Sequence, residues 1–297
     1  MSHSLAAASL SLLAALFLTP AVAEAGPWVK STGELYGKVA VSTFSSADVF
    51  DLDGELFDPG FTYSNQTYAL YAEAGLTKRL ALNVNLPVIL SVNELSERVR
   101  VRNNGLGDLD VSLQAQLYDR GRCPVSARLT ARAPLYPGIV SDGATPGTTG
   151  AEPEPGDPQG LAVRFAPALG DGSYDITPAV SFGCGLSPVP GWFGVEVGPN
   201  IRLRGFGDGF VYSGDVGVFV WPRRVAVTGR VAGQQRFRSE HERPTKYFVS
   251  FAGGLIVNIA RGFALEATAT WVPIGGFVAR GWTYGAGVSF NGRIFSP

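Results

Sequence analysis

General acid–base chemistry has few candidate residues in this sequence. Its 297 residues include two histidines, His3 and His241, and histidine is the side chain that most often serves as a base near neutral pH. His3 lies in an N-terminal segment that we expect to be removed. His241 stands among charged residues in the stretch 239–242, where a solvated loop side chain is the commoner outcome. The sequence therefore predicts that the protein is not an enzyme.

Metal and cofactor chemistry has one weak candidate. The acidic residues of the stretch 48–58 could bring oxygens around a tight turn, as calcium sites do, and they are Asp48, Asp51, Asp53, Glu55 and Asp58. The bidentate glutamate of an EF-hand is missing, so a solvated acidic loop is the favoured interpretation. The sequence has no thiolate–histidine zinc cluster and no phosphate-cradling lysine motif. We predict no cofactor, and the formal net charge of −1 argues against a nucleic-acid partner.

The two cysteines, Cys123 and Cys184, are predicted to form a disulfide. Cys123 precedes one predicted strand and Cys184 lies near the end of the next, so antiparallel pairing brings both to the same rim. An exported protein enters an oxidising compartment, where such bonds persist. The alternative interpretation is two unrelated small apolar residues.

Export is predicted from the N-terminus. Residues 5–18 form an apolar segment, followed by Ala21-Val22-Ala23 and Ala23-Glu24-Ala25, both of which suit signal-peptide cleavage. The segment is too short to span a membrane as a helix, although no Lys or Arg precedes it. We assign residues 1–25 to a signal peptide cleaved after Ala23 or Ala25, and residues 26–297 to a single domain.

Long stretches of the sequence alternate polar or charged residues with apolar ones, which is the period of a β-strand. The clearest case is 108–117, where Leu109, Val111 and Leu113 oppose Asp108 and Asp110. Twelve such stretches follow one another: 33–43, 68–76, 80–88, 109–117, 125–135, 174–182, 193–203, 210–220, 225–236, 247–259, 263–271 and 282–290.

Strand number and connections predict the fold. Connections after even-numbered stretches are short, whereas those after odd-numbered ones are longer or more polar, such as 45–64, 93–104 and 137–172. Outer-membrane barrels have this asymmetry, with short periplasmic turns and longer outer loops. We predict an all-β transmembrane antiparallel up-and-down β-barrel of about twelve strands in the outer membrane, with periplasmic termini and a long extracellular loop at 137–172. Outer-membrane lipid is the expected surrounding.

In such a barrel the polar face lines the lumen. The predicted lumen-lining residues are Lys38, Glu73, Asp108, Asp110, Arg128, Arg132, Asp175, Glu196, Arg202, Asp215, Arg230, Arg236 and Glu266, with Glu34 and Arg204 on the same face. Cations and anions are nearly balanced, which favours cross-strand pairing. A turn at Pro222-Arg223 places Asp215 opposite Arg230, and similar counting places Asp175 opposite Arg202.

The chain also resembles a known family. The motifs are Gly105-Leu106-Gly107-Asp108-Leu109, Leu169-Gly170-Asp171-Gly172, Asp51-Leu52-Asp53-Gly54, the stretch 70–79 and Gly191-Trp192-Phe193. In this order they are similar to the outer-membrane proteins grouped under a MetA pathway of phenol degradation, and the resemblance covers nearly the whole mature chain. It departs where the family has Pro-Thr-Gly and this chain has Pro134-Leu135-Tyr136-Pro137-Gly138. The resemblance implies passage of aromatic or other small organic compounds.

The functional hypothesis from the sequence is a narrow channel for small organic solutes. Inward glycines on several strands leave part of the lumen wall without side chains, and a twelve-stranded barrel lies between filled and open ones. A structural or adhesin-like barrel with a plugged lumen is the alternative. The barrel-assembly machinery is an expected partner, since Phe295 lies close to the C-terminus.

Overall fold

The computed structural model describes residues 26–96, 99–119, 121–136, 167–170, 172–203, 206–237, 246–260 and 262–293. These residues form fourteen strands: β1 Glu34–Phe50, β2 Leu56–Phe57, β3 Thr62–Gly75, β4 Leu80–Ser96, β5 Val99–Leu106, β6 Asp108–Tyr118, β7 Val125–Pro134, β8 Asp175–Leu186, β9 Gly191–Arg202, β10 Gly209–Trp221, β11 Val225–Arg236, β12 Tyr247–Ala260, β13 Phe263–Gly276 and β14 Val278–Arg293. The described part of the chain contains no helix with the length and hydropathy to span a membrane.

The strands close into a barrel. Each pairs antiparallel with its neighbours, and β14 pairs with β1 from Glu34↔Arg293 to Phe50↔Val278. The strand β4 pairs with β6 along its first half and with β5 along its second. The strands β5 and β6 therefore share one strand position in the ring, and such a position is called a stave below. Since β2 is a two-residue addition to β1, the fourteen strands make twelve staves. The predicted all-β up-and-down barrel is confirmed.

A bulge at Gly107 separates β5 from β6. Asn85 pairs with Asp110 and Val88 with Leu106, so the two β4 residues between them face three residues of the partner strand. A Cβ on Gly107 would lie 2.8 Å from Ile89 Cδ1 and 3.0 Å from Pro87 Cγ, so a side chain here would force these neighbours to shift. The neighbouring Pro87 can be tolerated inside the sheet because the ladder is already interrupted here.

The barrel is apolar outside and polar inside, the reverse of a soluble protein. Outward side chains such as Val39 and Leu70 are 62% and 53% exposed, whereas the inward Ser126 and Ser181 are 0% and 1% exposed. A continuous exposed apolar surface of this kind is stable against lipid and is a liability in water.

Two predicted loops are wrong in extent. The strand β1 continues to Phe50 and β3 begins at Thr62, which shortens the 45–64 loop. The predicted loop 93–104 is largely the end of the β4–β5 hairpin, where Glu94 pairs with Arg100. The charged residues of this hairpin are compatible with strand structure, because its inward residues Asn93 and Asn103 are still buried, at 5% and 4% exposure.

Only the single residue Phe277 separates β13 from β14, so long connections do not follow every odd-numbered stave.

The two ends of the barrel are called the terminal rim and the loop rim below. The terminal rim is where β1 begins and β14 ends, and it carries the turns at 76–79, 187–190 and 222–224. The loop rim is the opposite end.

A candidate solute pathway inside the barrel

Near the loop rim, four inward charged residues form a tight cluster, which we call the paired cluster: Asp110, Arg132, Asp175 and Arg202. The Arg132 guanidinium donates to both oxygens of Asp110, at 2.7 and 3.2 Å, and lies 4.0 Å from Asp175. The Arg202 Nε donates to Asp175 Oδ1 at 3.3 Å. The side chains of Arg202 and Asp175 are 1% and 5% exposed, so paired charges fill the inner wall of β6 to β9 at this end of the lumen.

Asp108 extends this paired region toward the long connection between β7 and β8. The Tyr136 hydroxyl donates to Asp108 Oδ1 at 2.7 Å and accepts from the Gly172 amide at 2.8 Å. A Cβ on Gly170 would lie 2.4 Å from that same hydroxyl, so a larger residue here would displace the hydroxyl from this position. Asp108 therefore anchors described residues of this connection rather than facing open space.

Near the terminal rim, the segment Gly26–Ser31 lies inside the barrel; we call it the N-terminal segment. The Gly26 carbonyl accepts from Gln114 Nε2 at 3.0 Å on β6, and the fully buried Pro27 packs against Gly183 on β8. Lys30 Nζ donates to Asn291 Oδ1 at 3.3 Å on β14. In the ring of twelve staves, β8 and β14 are six apart. The segment therefore crosses the lumen.

Between these two ends lies a cavity of about 600 Å³. Its charged lining residues are Lys38, Glu73, Arg128, Glu196, Asp215, Arg230 and Glu266. Three aromatic side chains, Tyr36, Tyr71 and Trp192, border the same space. The cavity is thus polar and charged, with aromatic rings at its wall.

Most charges of the cavity have protein partners. Glu266 pairs with Lys38 and accepts from the Tyr36 hydroxyl at 2.9 Å. Glu196 lies 3.5 Å from Arg128 Nε and accepts from the Ser181 hydroxyl at 2.5 Å. Two of the three cations are therefore neutralised within the wall.

Asp215 and Arg230 behave differently. They face each other directly across β10 and β11, as predicted, but they form no ion pair within 4.0 Å. Asp215 instead accepts from Trp192 Nε1 at 3.2 Å. Arg230 is exposed to the cavity, and among the described residues it makes no ion pair or hydrogen bond.

Two glycines on β9 and β10 explain this arrangement. Trp192 pairs with Gly217, and a Cβ on Gly217 would lie 2.2 Å from the indole ring, so the ring lies across the bare backbone. Asp215 pairs with Gly194, where a Cβ would be 3.0 Å from Asp215 Oδ1. The two glycines let Asp215 lean toward β9 and meet the indole, away from Arg230.

The structure places twelve of the thirteen predicted lumen-lining residues in or beside the two regions above. Seven border the cavity, four form the paired cluster and Asp108 adjoins it. Arg236 lies near the loop rim, where it donates to the Leu52 carbonyl at 2.7 Å and covers the Tyr247 ring at 5.0 Å. Arg204 lies outside the described residues.

The predicted lumen-lining residues leave out two features of the lumen. The first is aromatic: the strand period places Tyr36 and Tyr71 on the same faces as Lys38 and Glu73, whereas Trp192 precedes the predicted strand 193–203. The N-terminal segment has no such signal, since Gly26-Pro27-Trp28-Val29-Lys30 shows no periodicity.

Cys123 and Cys184 are joined by a disulfide, with their Cα atoms 4.1 Å apart. Cys123 lies in the turn before β7 and Cys184 on β8, both at the terminal rim.

In the acidic stretch 48–58, Asp51 Oδ1 accepts from the amides of Asp53 and Glu55, each at 2.9 Å. Its carboxylate thereby stabilises a local turn. In the part of the chain that the structure describes, no three His, Cys, Asp or Glu side chains gather as a metal site would require.

Several predictions fall outside the described residues. They concern the signal peptide 1–25, the loop residues 137–166, His241 and the C-terminal Phe295. They stay predictions.

The fold is similar to those of solved outer-membrane proteins. An outer-membrane channel from Pseudomonas putida F1 matches with a TM-score of 0.65 and 10% identity, over 92% of this chain and all of that one. A KdgM porin matches with a TM-score of 0.50 and 7% identity, over 86% of this chain and 98% of that one. At such identities the likeness is one of fold. Neither a family model nor a curated protein matches the sequence, so membership of the phenol-degradation family stays a prediction.

Proposed function

We propose that this protein is an outer-membrane channel for small organic solutes, aromatic ones among them. The observation that carries the proposal is the charged cavity of about 600 Å³ in mid-lumen, in which Arg230 stays unpaired among the described residues. A lumen built only to hold the barrel together would be expected to pair such a charge or replace it with packed side chains.

Placement in the membrane is supported by the outer surface. Exposed aromatic residues lie near both rims, with Tyr118 and Trp221 at the terminal rim and Phe237 and Trp282 toward the loop rim, all 48–58% exposed. Aromatic rings favour the two interfaces of a bilayer. In this proposal the terminal rim faces the periplasm and the loop rim faces the outside.

The size of the solute is limited at both ends. The paired cluster narrows the path near the loop rim, and the N-terminal segment crosses it near the terminal rim. A solute must pass between the N-terminal segment and the wall, unless that segment moves. Aromatic solutes are included because Tyr36, Tyr71 and Trp192 line the cavity, and aromatic rings attract one another in edge-to-face and offset arrangements.

A plugged structural or loop-binding barrel is the competing function, and the N-terminal segment is the observation that favours it. Solute uptake into proteoliposomes separates the two, using aromatic acids, alkylphenols and sugars. The variant lacking Pro27–Lys30 serves beside the wild type. A channel passes at least one class, and removal of the segment increases the rate. If both proteins are folded and equally impermeable, the channel proposal fails.

Membrane location has its own test. The protein should fractionate with outer membranes and migrate faster on gels before boiling than after, because a closed barrel resists unfolding by detergent. Recovery as a soluble monomer would contradict the proposed location.

A further inference from the structure

Three cations border the cavity, and one of them differs from the others. Lys38 is paired with Glu266 and Arg128 with Glu196. Arg230 has no such partner among the described residues, and its side chain faces the open cavity. A guanidinium presents several N–H donors in a planar fork that suits a carboxylate.

Asp215, directly opposite on β10, is held apart from Arg230 by its bond with Trp192. The indole supplies one donor to one carboxylate oxygen, which leaves acceptor capacity on Asp215. Two opposite charges therefore stand side by side, open to the same cavity and out of contact with each other.

This arrangement suits a ligand that carries both charges. A simple carboxylate would meet Arg230 but be repelled by Asp215, and a simple amine would meet Asp215 but be repelled by Arg230. An α-amino acid carries an ammonium and a carboxylate on one carbon, so it can engage both residues at once. Its net charge is zero, so it does not add to the excess of acids over cations in the cavity.

The surroundings favour an aromatic side chain on that ligand. Trp192 borders the cavity next to Asp215 and is 8% exposed, so a small part of its ring can meet an aromatic group in the cavity. The positions beside Arg230 are small, with Ala252 opposite on β12 and Ser213 nearby on β10. These small residues leave room beside Arg230 for the ligand.

We propose that Asp215, Arg230 and Trp192 form a binding site for zwitterionic aromatic amino acids within the lumen. The inference rests on the proposed function, since it names the solute class that the channel admits. Asp215 takes the ammonium, Arg230 takes the carboxylate and Trp192 contacts the ring.

Three compounds with one skeleton provide the test: phenylalanine, 3-phenylpropionate and 2-phenylethylamine. Each is titrated calorimetrically into the folded full-length protein in detergent. Phenylalanine should bind at least about tenfold more tightly than either relative, because each charge-assisted contact contributes about that much. Equal or weaker binding of phenylalanine would overturn the inference.

Two substitutions assign the contacts. Arg230→Gln should remove the advantage of phenylalanine over the amine, and Asp215→Asn should remove its advantage over the carboxylate. Asn keeps an acceptor for Trp192, so the indole stays in place. Arg236→Gln is the matched control, since it removes a cation from the same strand outside the cavity, and the preference should persist. If both cavity variants retain the wild-type preference, the assignment is wrong.

Uptake into proteoliposomes distinguishes failure of the inference from failure of the proposed function. If sugars or alkylphenols pass but phenylalanine binds no better than its relatives, the channel proposal is supported and the amino-acid site is refuted. If phenylalanine binds selectively but no solute passes through the wild type, the site is supported and the channel proposal is refuted.

Discussion

Asp175 and Arg202 face each other across β8 and β9 in the same way that Asp215 and Arg230 do across β10 and β11. The first pair is in contact at 3.3 Å and almost wholly buried. The second pair does not touch, and its arginine is exposed to the cavity. The same two residue types, placed directly opposite each other, thus form a buried ion pair between β8 and β9 and remain apart, next to the cavity, between β10 and β11.

The difference comes from the neighbours. Arg202 is also held by the Ser173 hydroxyl at 2.8 Å, and its backbone amide donates to Asp208 at 2.8 Å, so its side chain is fixed over Asp175. Asp215 has Gly194 beside it and the Trp192 indole within reach, so it turns away from its arginine. Cross-strand register decides which charged residues are adjacent. The residues around each pair, such as Ser173 or Trp192, decide whether the two charges form an ion pair.

The largest effect should come from removing the arginine of the buried pair. Among the described residues, Arg202→Met leaves the buried Asp175 with one ion-pair partner, Arg132 at 4.0 Å. Loss of one partner of a buried pair costs about 3–5 kcal/mol. We expect Arg202→Met to lower the free energy of unfolding by about 3 kcal/mol, as measured by urea unfolding in lipid vesicles. Arg230→Met, the matched change at the pair next to the cavity, should cost less than about 1 kcal/mol. Similar losses for both variants would contradict the comparison.

A smaller effect should follow from freeing Asp215. Trp192→Phe keeps a ring over Gly217 but removes the N–H that holds the carboxylate. The hydrogen bond lost is worth about 1.5 kcal/mol or less, because Asp215 can turn to Arg230. The effect is measured as the coupling free energy between Asp215 and Arg230, from a double-mutant cycle in which each residue is replaced by alanine. That coupling should be weaker in the wild type than in Trp192→Phe, where contact between the two side chains should raise it by about 0.5–1 kcal/mol. Equal coupling in the two backgrounds would mean that Trp192 does not keep the pair apart.

The smallest effect is expected from Gly194→Ala. The new methyl group would lie 3.0 Å from Asp215 Oδ1, so the carboxylate must shift by a few tenths of an ångström. We expect a change in stability below about 1 kcal/mol and a measurable loss of phenylalanine binding. Gly253→Ala is the control, since nothing lies within 4 Å of a Cβ there. Equal binding by both variants would show that Gly194 does not position Asp215.

Much of this architecture follows from the alternation of residues. The period of two places Asp215 and Arg230 on one face, and the turn at Pro222-Arg223 sets their register, so both were predictable. Whether they touch was not, because that depends on Gly194 and Gly217 of neighbouring strands, whose effect appears only when side-chain directions are known. The ends of β4 and β5 were missed because polar residues there occupy both faces.

The N-terminal segment also determines the shape of the barrel mouth. The circumference of a closed barrel is fixed by its strand number and stagger and by a spacing of about 4.8 Å between strands. Its outline is not, since a ring of strands can flatten into an ellipse while every ladder hydrogen bond is kept. The N-terminal segment contacts Gly183 on β8 and Asn291 on β14, which lie on opposite sides of the ring. It acts as a strut that resists flattening along that diameter, so changes to these six residues would alter the outline of the terminal rim and leave its circumference unchanged.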